Sequence, residues 1–252
     1  MAFSLVAVAN EHYVSKLYIG PAGCNLRMAI WENKNLTFPY ADNNVKYDGP
    51  LWGVVGTYEY RKFHNLYAGV YGCYFQGTVT KGSYPDRKFQ DGEGEIRFGY
   101  NYMALQGASF VATPYLGFGF NYIAQKREIV PVNHFKYFLY YIPIGFLFDW
   151  HWNKWFTIGF YFKWMPQVDA TLRLTEYAGA RFILIKKLEQ FLAELPLVFT
   201  FGSHRRWDIT LTPFWLRKKT GDTKNQVGCI DLGIPKTTYT YAGADLTVGY
   251  SF

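Results

Sequence analysis

The chain closes on Tyr239-Thr-Tyr-Ala-Gly-Ala-Asp-Leu-Thr-Val-Gly-Tyr-Ser-Phe252. Even positions Ala242, Ala244, Leu246, Val248, Tyr250 and Phe252 are apolar, and odd positions Gly243, Asp245, Thr247, Gly249 and Ser251 are small or polar. Period-two alternation places the two sets on opposite faces of one β-strand, over a length able to cross a bilayer. A bare phenylalanine at the end of such a strand suits a surface bathed by hydrocarbon. The stretch therefore predicts the closing strand of a barrel, with lipid outside and polar groups inside.

Composition points the same way. Phe, Tyr and Trp make up 21 % of the 252 residues, while charged residues make up 18 %. Mean hydropathy is nevertheless near neutral, at −0.11. A helical membrane protein needs runs of about 18 or more apolar residues, and none occurs. Phe138–Phe148 is the richest stretch, and it is strand-sized. Abundant aromatics without a helical span fit a transmembrane barrel, in which half the side chains face a polar lumen. A soluble sandwich would have to expose this aromatic area to water, which soluble surfaces rarely do.

Residues 1–9 end in Ala7-Val8-Ala9, a small-x-small pattern that reads as the remnant of a secretory signal peptide. Residues 10–252 read as one barrel domain. Cys24, Cys73 and Cys229 are an odd number without CxxC spacing, so neither a disulfide framework nor a metal site is expected. The formal charge is +7, spread over Lys126, Arg127 and Lys136, over Arg217, Lys218 and Lys219, and over Arg205 and Arg206. Such basic rims suit membrane phosphates. Nucleic acid is not expected as a partner, because no recognition motif accompanies the charge.

Strand candidates come in pairs joined by short turns, at His64-Asn65, near Gln106-Gly107-Ala108, at His151-Trp152-Asn153-Lys154 and near Ser203–Arg206. Longer polar stretches near 32–50, 81–93, 125–134, 166–193 and 220–237 read as loops on the other side. The expectation is a closed, all-β antiparallel barrel of ten strands, or twelve if 166–193 adds two. Val168–Thr175 alternates as a strand would. Ala180–Leu195 reads either as an amphipathic helix or as a raised extension of the eighth strand. Several strands set aromatics against glycine: Leu116, Phe118, Phe120 and Tyr122 oppose Tyr115, Gly117, Gly119 and Asn121. Strand three, Leu66 to Gln76, does not sort into two faces.

With this hairpin pattern and its terminal Tyr250-Ser251-Phe252, the chain resembles the Gram-negative outer-membrane β-barrel proteins. Such proteins end in a signal read by the barrel assembly machinery. Asp245, Tyr250 and Phe252 match it, whereas Thr247 stands where a glycine is usual. The resemblance implies an outer-membrane location with short turns and both termini periplasmic. It also implies a monomer contacting lipid, lipopolysaccharide and the assembly machinery. Ten strands is also the size of omptin surface proteases and some adhesins, a fold-level likeness that carries no activity over.

Charges on strands are the strongest candidate site. Arg27, Glu95, Arg97 and Lys163 are expected in the external half of the lumen. Glu59, Arg61, Asp149 and Asp208 are expected in the periplasmic half, with Asp245 between. Inside a narrow barrel they must pair or meet water, so they either staple the barrel or line a small, porin-like conduit. A hydrolase reading would need His134 at the loop side with Asp42, Asp48, Asp86 or Asp91 as neighbours, and no spacing links them. No catalytic residue, cofactor or metal is expected. The structural or narrow-pore reading leads, with a surface protease, a lipid A hydrolase or an adhesin as alternatives.

Overall fold

The computed structural model describes residues 15–31, 45–61, 66–82, 84–103, 110–127, 134–176, 179–185, 187–202, 206–221 and 236–252. The suspected signal remnant 1–9, Cys229, His12, His64 and His204 lie outside them. The described residues form fourteen β-segments and no helix. These are β1 (Ser15–Ile30), β2 (Val45–Arg61), β3 (Leu66–Lys81), β4 (Tyr84–Tyr100), β5 (Tyr102–Met103), β6 (Phe110–Arg127), β7 (His134–Tyr141), β8 (Ile144–Asn153), β9 (Phe156–Glu176), β10 (Gly179–Leu184), β11 (Glu189–Glu194), β12 (Leu197–Phe201), β13 (Trp207–Thr220) and β14 (Thr237–Ser251).

They build ten staves of one closed antiparallel ring. β4 and β5 share a stave, as do β7 and β8, and β10, β11 and β12. Prolines cause two of the internal breaks. Pro143 and Pro196 offer no N–H to the ladder, yet their carbonyls accept from Gly117 N (3.0 Å) and Gly159 N (2.7 Å), so pairing resumes beyond each. β14 pairs β1 from Lys16↔Ser251 to Ile30↔Thr237, and Phe252 N donates to Ser15 O at 2.9 Å, which seals the ring. Followed once around the ring, the registers return to β1 displaced by roughly twelve residues, the stagger of strongly tilted strands in a narrow barrel.

Two expectations about loops need correction. The stretches 81–93 and 166–193 are mostly strand, because β4 begins at Tyr84 and β9 runs unbroken to Glu176. Ala180–Leu195 is β10 and β11, extending the eighth stave, and no helix forms there among the described residues.

The outer and inner faces change character along the axis. Toward the end holding Ser15 and Phe252, the outer face is apolar: Trp52 is 70 % exposed, Leu66 66 % and Leu116 62 %. Together such residues form an apolar belt of the kind that faces hydrocarbon in transmembrane barrels. Toward the other end, the outer face becomes polar, with Arg27, Lys46, Asp48, Lys88, Gln90, Lys126 and Arg217 exposed. There the interior turns apolar instead. Leu26, Met28, Leu51, Val79, Ile123, Leu139 and Leu172 are buried against one another. This upper part is built like a water-soluble barrel standing on a membrane-spanning one.

Tyrosines close much of the remaining lumen. An added Cβ at Gly119 would fall within the Tyr141 ring, and one at Gly145 within the Tyr115 ring. Each glycine is the recess that lets a neighbouring ring lie flat across the inner wall. β3 resists sorting from sequence because its inner face is itself apolar and aromatic: Tyr67, Phe75 and Val79 are buried, with Tyr71 and Cys73 beside them.

Candidate functional site

The polar interior runs from the belt to its upper edge and divides into two clusters. In the lower one, Lys16 Nζ lies 2.9 Å from Asp208 Oδ2, and Thr200 Oγ1 also donates to Asp208. Arg61 binds Glu59 at 2.9 Å and reaches across to Asp149. Tyr161 donates to Asp149 at 2.8 Å and Tyr67 to Glu59 at 3.1 Å.

The upper cluster is a ladder of alternating charge. Arg97 binds Glu95, Glu95 binds Lys163 (2.8 Å), Lys163 binds Glu93 (2.9 Å), Glu93 binds Lys218 (3.0 Å) and Lys218 binds Asp91 (3.0 Å). Four of the six charges stand on β4, on successive inward positions. Lys163 comes from β9, and Lys218 comes from β13, halfway round the ring from β4. The ladder therefore ties opposite walls together through the lumen axis. Neutral donors complete it: Tyr141 donates to Glu95 (3.0 Å), Asn121 to Asp91 (2.7 Å), and Tyr241 also to Asp91. Tyrosine faces back the cations, with Arg97 4.8 Å from the Tyr71 centroid and Lys163 5.0 Å from the same ring.

Beside the ladder, a cavity of about 20 Å³ is lined by Glu194, Asp245, Val55, Tyr71, Cys73 and Phe75, among others. That is room for about one water. Below it lie Arg61 and its partners, and above it lies the apolar core.

The expected lumen residues Glu59, Arg61, Glu95, Arg97, Asp149, Lys163, Asp208 and Asp245 all point inward. Arg27 does not, and its assignment is corrected: it stands on the outer face and pairs there with Asp48 at 2.9 Å. Above the belt the inward positions of β1 belong to Leu26 and Met28, so the charge between them turns to water. Sequence reasoning missed Lys16, Asp91, Glu93, Glu194 and Lys218. Asp91 and Glu93 were legible, since stepping back by two from Arg97 and Glu95 reaches them in turn.

Of the residues considered for hydrolysis, Asp91 and Asp48 are not beside His134, while Asp86 is exposed on the same outer face. Asp91 is buried in the ladder, Asp48 is paired outside with Arg27, and His134 stands on the outer-face register of β7. Asp42 lies outside the described residues. His151, near the lower end, faces Thr157 Oγ1 at 2.8 Å. Cys24 and Cys73 are free thiols on the inner wall. Among the described residues no group of three or more His, Cys, Asp or Glu could hold a metal ion.

No family model and no curated protein matches the sequence. Solved structures do match in fold. The outer membrane protease OmpT from Escherichia coli aligns over 94 % of this chain and 96 % of its own, with 11 % identity and a TM-score of 0.60. The translocator domain of the autotransporter NalP from Neisseria meningitidis aligns over 96 % and 90 %, with 12 % identity and a TM-score of 0.45. The outer membrane protein OprG from Pseudomonas aeruginosa aligns over 96 % and 98 %, with 11 % identity and a TM-score of 0.37. With its sealed ring, apolar belt and polar lumen, the chain has the fold of the outer-membrane β-barrels.

Proposed function

We propose that this protein is a sealed, monomeric barrel of a bacterial outer membrane, with both termini periplasmic and its raised end outside the cell. Its role is structural, with contacts made by the raised end and its loops. The observation that carries this reading is the set of buried side chains that crosses the lumen. Six charges linked in series bridge the barrel from within the belt to its upper edge, beside an apolar core. A conduit needs a continuous column of water, and an apolar constriction opposes one by dewetting. Lipopolysaccharide and the barrel assembly machinery are the partners this placement implies, the latter through Asp245, Tyr250 and Phe252.

Planar-bilayer recording tests the reading. Folded protein, verified by heat-modifiable gel migration, should insert without producing conductance steps. Reproducible steps from the folded protein would overturn the sealed-barrel reading in favour of a narrow pore.

A further inference from the structure

We infer that β7, the end of β9 beyond Val168 and β10 pivot as one panel on the barrel, about a line of backbone breaks that crosses three neighbouring staves. The pivot opens and closes the apolar core of the raised end while the charge ladder stays tied. This device goes beyond the sealed-barrel reading and requires only the fold.

Three breaks lie side by side. β7 gives way to β8 at Ile142-Pro143, where Pro143 has no N–H for the ladder. On β9, the register against β7 shifts by one residue between Tyr140↔Asp169 and Tyr141↔Gln167. Val168 is the extra residue, and it and Asp169 are both exposed, whereas alternation would turn one of them inward. Such a bulge bends its strand and disrupts the local ladder. On the eighth stave, β10 ends at Leu184 and β11 begins at Glu189. The three places meet: Ile142 N donates to Pro166 O at 3.1 Å, and Gln167 N donates to Leu188 O at 3.3 Å.

Along this line, side chains take bonds that a ladder makes between main chains. Asp169 Oδ1 accepts from Ala170 N at 2.8 Å. Gln167 Oε1 accepts from Leu188 N at 3.0 Å, and Gln167 Nε2 donates to Lys219 O at 2.9 Å. Bonds of this kind compete with a sheet ladder and let the backbone depart from it. The Gln167 amide therefore pins the seventh, eighth and ninth staves where main-chain pairing lapses. On the far side of the ring, by contrast, β1 pairs β2 without interruption from Ser15↔Tyr60 to Ile30↔Val45.

Beyond the line the panel keeps its own ladder. β7 pairs β9 from Tyr140↔Asp169 to His134↔Thr175, and β9 pairs β10 from Thr171↔Leu184 to Glu176↔Gly179. Among the described residues β10 pairs only with β9. β6 crosses the line unbroken and pairs β7 from Gly119↔Tyr141 to Lys126↔His134, so it is the panel's attachment. Leu139, Ala170, Leu172 and Ile185 carry the panel's share of the apolar core. Lys163 and Lys218 of the ladder stand on the belt side of the line.

Residue-resolved hydrogen exchange of the full chain, folded in neutral detergent, tests the pivot. The amides of Ile142, Gln167, Ala170 and Leu188 should exchange at least about tenfold faster than those of Leu139 and Leu172 inside the panel, or of Leu26 and Met28 on β1. Gln167→Leu should speed Leu188 further. Deleting Val168, which restores the register, should slow the line toward the panel's rate. If that deletion fails to fold, Pro143→Val, which supplies an N–H, should act in the same direction. Spin labels report the movement itself, in a chain whose three cysteines are replaced by alanine. A Lys46→Cys/Lys136→Cys pair, reaching from β2 to the panel, should give a distance distribution at least about twofold wider than Lys46→Cys/Gln90→Cys. Equal widths, or a line as protected as the panel, would overturn the inference. So would a panel exchanging as fast as the line, which means fraying and no pivot.

Discussion

Lys218 shows how much one residue can hold. Its amine is buried between Asp91 (3.0 Å) and Glu93 (3.0 Å), and it lies 5.6 Å from the Tyr241 ring centroid. Removing one member of a buried ion pair leaves the other charge without its partner, at a cost of about 3–5 kcal/mol. Lys218→Ala should lower stability by that amount in urea unfolding from detergent. Lys46→Ala, exposed on the outer face, should stay within about 0.5 kcal/mol of wild type. Equal effects from the two substitutions would mean the ladder is not a staple. Lys218 was hard to find in the sequence, because it sits in the run Arg217-Lys218-Lys219 and reads as part of a basic rim. Only the parity of β13 separates it: its two neighbours face out, and it faces in.

At the scale of the strand, what was legible followed one rule, and the misses mark where that rule inverts. Within the belt, apolar residues face out and polar ones face in. The terminal alternation of β14 and the aromatic-against-glycine strands therefore revealed the fold directly. Above the belt, water replaces lipid outside and the faces exchange roles. The rising ends of β4 and β9 then look polar and loop-like, and Arg27 looks like a lumen charge although it faces outward. The inner glycines belong to the same scale. Gly119→Val would drive its side chain into the Tyr141 ring and should destabilise the barrel by about 1–3 kcal/mol. In a Tyr141→Ala background, which is itself costly, Gly119→Val should cost much less than it does in wild type, because the ring it meets is gone. At Gly94 an added Cβ meets nothing within 4 Å, so Gly94→Ala should be nearly silent in the same unfolding assay.

For the whole molecule, the solvent outside decides which substitutions matter. Leu116 is 62 % exposed in the belt. Leu116→Arg should cost about 2–4 kcal/mol near the bilayer midplane when unfolding is measured in liposomes. Gln90→Arg, exposed on the upper outer face, should cost almost nothing. Similar costs at both positions would place the hydrocarbon boundary elsewhere. The cross-lumen ladder also bears on how the chain is built. A nascent sheet that has grown through β9 already holds Lys163 against Glu93 and Glu95. Asp91 still lacks a cation at that stage, because its ion-pair partner among the described residues arrives with β13, the ninth stave. Charge neutrality is thus a checkpoint reached only by a nearly finished cylinder, and a chain truncated ahead of β13 is left with an uncompensated acid where lipid would otherwise close in.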